Sequence, residues 1–150
     1  MMDRDVFVIL HSISKKMRKI ADRELYRYGM TSTEMRLLNM IYYYDADGCM
    51  QDEFSDKIDV DRSNIGRGLK RLEKLGLIRR DRHEKDKRAF RVFLTDEGRA
   101  IKPELMAIRE RIKMMFSMGI GSGEMKELAR LLERAEMNLT NGGIKKESAI

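Results

Sequence analysis

Between Asp61 and Gly76 the apolar residues Ile65, Leu69, Leu72 and Leu75 recur at helical spacing, while Arg62, Ser63, Asn64, Arg67, Lys70, Arg71 and Lys74 fill the other side. Such a helix has one face for a core and one for a partner. Asp61 is placed as N-cap, because its carboxylate can accept from an orphan N–H two or three residues on. Gly76 stands where a left-handed glycine closes a helix. The outward face mixes amide, hydroxyl and guanidinium groups. Asn pairs with adenine, Arg with guanine or phosphate, and Ser with either, so the helix suits a DNA major groove.

The segment that follows, residues 78–91, reads as strand, charged turn (81–88) and strand. Residues 61–91 hold twelve Lys/Arg and five Asp/Glu, a net +7, whereas the whole chain carries +6 with His neutral. The positive charge is concentrated in one helix and one hairpin, the electrostatic footprint of a nucleic-acid reader. A merely solvated charged surface would not explain that asymmetry or the polar residues beside it.

The rest of the chain supplies a scaffold. At 150 residues, 42% apolar and 37% charged, it reads as one globular domain able to bury a core. Its single Cys cannot form an intramolecular disulfide, which fits a reducing cytoplasm. The apolar run Val6 to Leu10 is too short, and too acidic in its flank, for a signal peptide. No run approaches the ~20 apolar residues of a membrane span.

Residues 3–28 read as an amphipathic helix with Val6, Ile9/Leu10, Ile13, Met17, Ile20 and Leu25 as its stripe and Lys15, Lys16, Arg18 and Lys19 opposite; Gly29 ends it. Thr31 and Glu34 form a capping box for a helix to about Tyr44, with Met35, Leu38, Ile41 and Tyr42 inward. Asp45-Ala46-Asp47-Gly48 is a turn; Cys49 spoils it as a calcium loop. Residues 51–58 form a short helix with Phe54 and Ile58 inward, and Asp59-Val60 leads into the basic helix at helix-turn-helix spacing. Thr95 caps a further helix, helped by Asp96 and Glu97, with Ile101, Leu105, Ile108, Ile112 and Met115/Phe116 as its stripe. Pro103 bends that helix or marks a join. The glycine-rich stretch 119–123 is a hinge, with no strand before it and no Lys-Ser/Thr after it to make a phosphate loop. Ser122 or Gly123 opens a last helix with Met125, Leu128, Leu131/Leu132, Ala135 and Leu139 on one face; Asn141-Gly142-Gly143 stops it, and the tail from Ile144 frays. The fold class is mainly α (α+β), a winged helix-turn-helix of about six helices and one β-hairpin wing.

The stretch Asp61-Arg62-Ser63-Asn64-Ile65-x-Arg67-x-Leu69-x-Arg71-Leu72-Glu73-x-x-Gly76-Leu77-Ile78 resembles the recognition helix of the MarR family of winged helix-turn-helix regulators. Asp86-x-Arg88-Ala89-x-x-Val92-x-Leu94-Thr95-x-x-Gly98-Arg99 resembles that family's wing and the start of its next helix. The resemblance implies a sequence-specific, double-stranded-DNA-binding transcriptional regulator, expected to be a cytoplasmic repressor. Ser63, Asn64 and Arg67 would then face bases, and Arg62, Lys70 and Arg71 would hold phosphates. Arg88, helped by Lys85 and Lys87, would enter the adjacent minor groove, where a narrow A·T tract attracts guanidinium. Asp86 would orient an Arg.

The stripes at the two chain ends need a partner, and a symmetric dimer is the commonest assembly. MarR-like proteins dimerise through their terminal helices, so Val6, Leu10, Ile13, Leu128, Leu131, Leu132 and Leu139 are the expected interface. On this reading 1–150 is a single domain in which 1–30 and 100–143 are dimerisation helices, 31–99 the DNA-binding lobe and 144–150 a tail. The family often binds lipophilic or phenolic effectors between these parts. Tyr42, Tyr43 and Tyr44 could line such a pocket, and the many methionines would make it deformable; plain core is the competing reading.

Gly66 and Gly68 are unusual inside a helix. Gly68 is expected to admit the neighbouring helix 51–58, and Gly66 to face DNA, at a position where family members often carry Thr or Ser. Met50 stands where the family often puts a Thr or Ser cap. Cys49 matches an apolar position of the family, with no basic neighbour to make it a redox sensor. His11 and His83 are too few for a zinc site, so no metal or cofactor is expected. An enzyme lacks its Ser/His/Asp or Cys/His set. The remaining alternative is a dimeric winged-helix module that binds protein rather than an operator.

Overall fold

A computed structural model describes residues 4–44, 48–58, 60–82, 84–86 and 89–147, with side chains as far as Asn141. The turn expected at 45–47, His83, Lys87 and Arg88 lie outside the described residues, as do 148–150 of the tail. The chain forms two compact bodies, 1–112 and 113–150.

In the first body, α1 (Val6–Leu25) begins with its apolar stripe at Val6, three residues after the start of the expected range 3–28. Asp5 is the cap: its Oδ1 accepts from Phe7 N at 2.8 Å and Val8 N at 3.0 Å. The helix also ends before residue 28. Tyr26–Tyr28 tighten into a 3-10 turn, and Gly29, at φ 71°, turns left-handed. Then comes α2 (Ser32–Tyr44) with half a capping box. Glu34 reaches back to accept from Thr31 N at 2.6 Å, but the Thr31 hydroxyl donates to the same carboxylate instead of accepting from a helical N–H. Ser32 N is satisfied by Asp22 of α1 at 2.6 Å, so this helix start also ties two helices together.

Next are β1 (Cys49–Met50), α3 (Glu53–Lys57), α4 (Arg62–Lys74), β2 (Ile78–Arg82) and β3 (Phe90–Leu94). The expected hairpin is widened to an antiparallel sheet of order β1-β3-β2, with Cys49 opposite Val92 and Ile78 opposite Leu94. A two-residue strand has no periodicity to read. It also shortens the helix expected at 51–58, because Gln51 N still donates to Phe90 O at 2.9 Å. The core holds Leu37, Leu38 and Ile41 of α2, Phe54 of α3, Ile65, Leu69 and Leu72 of α4, and Val92 of β3. Leu75, expected in the same stripe, is 40% exposed, because it follows the last helical turn as the C-cap.

Thr95 caps α5 (Asp96–Ala100) as expected: its Oγ1 accepts from Gly98 N at 3.0 Å and donates to Gly76 O at 2.6 Å. The helical run then breaks at Ile101, and α6 (Lys102–Ser117) starts. Pro103 therefore marks a join; in the first turn of α6 its missing N–H has no helical partner to lose. Leu105, Ile108 and Ile112 complete the core, and Arg111 of α6 donates to Glu24 of α1 (Nε at 3.3 Å).

In the second body, Gly119 at φ 76° follows α6, and α7 (Ser122–Glu147) opens where expected, with Gly121 N donating to Glu124 Oε2 at 2.8 Å. Met115, read as continuing the α6 stripe, is 54% exposed. The stop expected at 141–143 does not occur, for α7 runs through Gly142 and Gly143 to Glu147. Glycine ends a helix by turning left-handed, as Gly29, Gly76 and Gly119 do. Where it stays helical it costs only about 1 kcal/mol.

Candidate nucleic-acid interface

The basic helix is α4. Its inner face packs Ile65, Gly68, Leu69 and Leu72, while Arg62, Ser63, Asn64, Arg67, Lys70, Arg71 and Lys74 are all exposed. Asp61 holds the N-cap position but its side chain accepts no capping bond; the turn is closed by Ile65 N donating to Asp61 O at 2.9 Å. The Asp61 carboxylate is therefore left facing outward with the basic residues.

Two of the expected base readers are joined. Arg67 Nη2 donates to Asn64 Oδ1 at 2.9 Å, which restrains two otherwise free side chains on one surface. Arg71, placed with the phosphate contacts by its sequence, is engaged within the chain: its Nε lies 3.4 Å from Glu34 Oε1 and its Nη2 donates to Gly29 O at 3.4 Å. Arg62, Ser63 and Lys70 point to solvent.

The glycines part company. A Cβ on Gly68 would meet Leu37 Cδ1 at 2.5 Å, so the close neighbour is α2, not the short helix 51–58 that was expected. A Cβ on Gly66 would meet nothing within 4 Å. Gly66→Ala is accordingly expected to raise stability by about 0.5–1 kcal/mol in urea or thermal unfolding, through helix propensity alone. A loss of affinity for a bound duplex despite that gain would place Gly66 against DNA.

The wing is fastened to this helix by a pair that the sequence left among its anonymous charges. Arg80 Nη2 lies 3.2 Å from Glu73 Oε1, and Arg80 N donates to Glu73 Oε2 at 3.3 Å. The Arg80 guanidinium also stacks 5.0 Å from the Phe90 ring centroid. Arg79 sits 4.8 Å over Phe93 and pairs with Asp81 at 3.2 Å, while Arg82 sits 5.8 Å over Phe90. Exposed Arg79 and Arg82 are thus held by the sheet, and their alternation with Phe90 and Phe93 across the register was the only sequence signal for it. Lys85 and Asp86 are exposed, and Asp86 O accepts from Ala89 N at 3.0 Å. The other two expected wing residues, Lys87 and Arg88, fall outside the described residues.

Elsewhere, Cys49 is buried in β1, and burial, reinforced by the charge of Glu53 and opposed by Arg91, pushes its thiol up to about 12. Almost none is thiolate at neutral pH, which suits a packing role. Of the three tyrosines proposed to line a pocket, Tyr42 is buried and its hydroxyl donates to Gly98 O at 2.6 Å. Burial, with the Glu104 charge, pushes that phenol up to about 12, so it remains a donor. Tyr43 is 86% exposed, and Tyr44 is half-buried with the Lys57 ammonium 4.7 Å from its ring. The stripe residues at the chain ends stay uncovered: Val6, Leu10, Leu131, Leu132 and Leu139 are exposed, and Ile13 and Leu128 half-buried. No helix among the described residues is long and apolar enough to cross a membrane.

A helix-turn-helix whose second helix offers a polar face, followed by a small antiparallel sheet, is the winged helix-turn-helix architecture. Residues 30–90 match the model of the MarR family. This chain is similar to that family over the helix-turn-helix and the start of its wing. A crystal structure of MarR superposes with a TM-score of 0.81 at 26% identity, covering 95% of this chain and 97% of that one. The uncharacterized HTH-type transcriptional regulator YdgJ of Bacillus subtilis (strain 168) is 29% identical over 113 residues, 75% of this chain and 68% of its own. The S. aureus MepR–DNA complex shares the fold, with a TM-score of 0.82 at 19% identity over 91% of this chain and 99% of that one.

Proposed function

We propose that this chain is a cytoplasmic, sequence-specific, double-stranded-DNA-binding repressor that acts as a homodimer on a pseudo-palindromic operator. One observation carries the reading. Ser63, Asn64 and Arg67 stand exposed early in α4 while Ile65, Gly68, Leu69 and Leu72 of the same helix are buried, so the helix is held by one face and offers base-reading groups on the rest. The likeness in fold to MepR, solved as a complex with DNA, supports duplex DNA as the partner. Arg62 and Lys70 hold phosphates beside the readers. Lys85, Lys87 and Arg88 carry the wing into the minor groove, with Asp86 as an orienting carboxylate. The homodimer is supported by the exposed stripes of α1 and α7. Release by a small lipophilic or phenolic effector is proposed from the family likeness.

In-vitro selection of bound duplexes from a random pool tests this reading. The selected site should contain two half-sites about 10–10.5 base pairs apart, centre to centre. On that site Asn64→Ala should cost about 1–3 kcal/mol, and much less on a scrambled duplex, because a base contact carries discrimination. The Arg67–Asn64 hydrogen bond makes the pair act together, so Asn64→Ala and Arg67→Ala should be less than additive. Equal losses of affinity on both duplexes would mean that α4 does not read bases.

A further inference from the structure

We propose that Arg71 is not a phosphate ligand: with Glu34 it forms a positioning pair that fixes the rotation of the recognition helix on α2. The proposal rests on the DNA-binding reading above.

Glu34, in the first turn of α2, is only 4% exposed. A carboxylate at that depth is stable only with partners. It has the Thr31 N–H at 2.6 Å and the Thr31 hydroxyl, but both are neutral; the cation beside it is Arg71, 3.4 Å away. The same guanidinium reaches the Gly29 carbonyl, so its fork spans from α4 to the left-handed turn before α2. Turning that fork toward a phosphate would withdraw the positive charge from a buried anion.

The placement along α4 supplies the function. At Gly68 the two helices touch without a spacer, with Leu37 against the bare backbone. Around it Ile65, Leu69 and Leu72 bury the same face of α4, an apolar contact without directional bonds. Arg71, three residues further on, adds a directional anchor to α2 and the turn before it, which fixes the roll that apolar packing alone sets loosely. Arg67 lies one turn before Arg71 and is bonded to Asn64. The Glu34–Arg71 pair therefore decides where the Asn64–Arg67 pair is aimed. The side chain of Arg71 is still 56% exposed, and from the sequence alone it is indistinguishable from Lys70.

The test is a titration of the full chain and its variants on the selected duplex at several salt concentrations. Lys70→Ala should flatten the slope of log K against log[salt] by about one unit, as loss of a phosphate contact does. Arg71→Ala should weaken binding about tenfold at every salt concentration with the wild-type slope, because aim is lost and no counterion is released. Glu34→Gln/Arg71→Ala should bind better than Arg71→Ala, since no buried carboxylate is then left without its cation. If Arg71→Ala does not fold by circular dichroism, Arg71→Gln is titrated in its place against the same criterion. A slope lowered by about one unit in the Arg71 variant, with no recovery in the double variant, would make Arg71 a phosphate ligand and overturn the proposal. Failure of the wild type to bind any selected duplex would instead overturn the DNA-binding reading itself.

Discussion

Gly98→Ala is expected to lower the unfolding free energy by about 3 kcal/mol. A Cβ at this position would lie 2.1 Å from the Leu77 carbonyl oxygen, 3.1 Å from its carbon and 3.2 Å from Leu94 Cδ2. The first two atoms are backbone and cannot rotate away. Nor can the strand entry retreat, because Leu77 O accepts from Thr95 N at 3.2 Å. Gly98 itself is pinned from both sides, its N–H on Thr95 Oγ1 and its carbonyl under the Tyr42 hydroxyl. Any relief must break bonds that join the end of α4, the sheet, α2 and α5. Thermal unfolding should show a midpoint lower by roughly 6–12 °C. A midpoint within a degree of wild type would mean that α5 packs less closely on β2 than these distances require. Gly66→Ala makes the matching control, since the same methyl group there meets open space.

Leu131→Asp is expected to turn a dimer into a folded monomer. Leu131 is 47% exposed in the single chain, and neighbouring Leu132 and Leu139 are exposed with it on α7. A charge on an exposed position costs the isolated chain little. The same charge enclosed between two copies loses its water without gaining a partner, a penalty of several kcal/mol. Sedimentation at micromolar concentration should therefore show the wild type as a dimer and the variant as a monomer. Circular dichroism should show unchanged helix content. A variant that remains dimeric would exclude this face of α7 from the interface, and a monomeric wild type would sink the dimer proposal altogether.

The parts legible in the sequence are those encoded within one turn of helix. Ile65, Leu69 and Leu72 fall on one side of α4 because 3.6 residues per turn puts them there. Gly29, Gly76 and Gly119 end their helices because a left-handed residue is cheap without a Cβ. Thr95 caps α5 because its hydroxyl reaches an N–H three residues on. The same local logic misplaced Leu75 by one position and stopped α7 too early. It also missed β1, whose two residues become a strand only through pairing with Val92 and Arg91.

What the sequence by itself determined, then, is the phase of each helix, the caps, and the gathering of charge into α4 and the wing. Only the tertiary structure decided which of those charges face outward and which are spoken for. Lys70 and Arg71 are adjacent cations on one basic face, and nothing local separates them. Folding brings Glu34 and Gly29 to Arg71 and leaves Lys70 in solvent. Arg80, likewise one charge among many, is claimed by Glu73 and Phe90. Gly68 owes its missing side chain to Leu37 of α2 rather than to the helix before it in the chain. Periodicity is a property of the nearest few residues, whereas the partner of a charge or of a bare glycine depends on segments that meet only when the core closes.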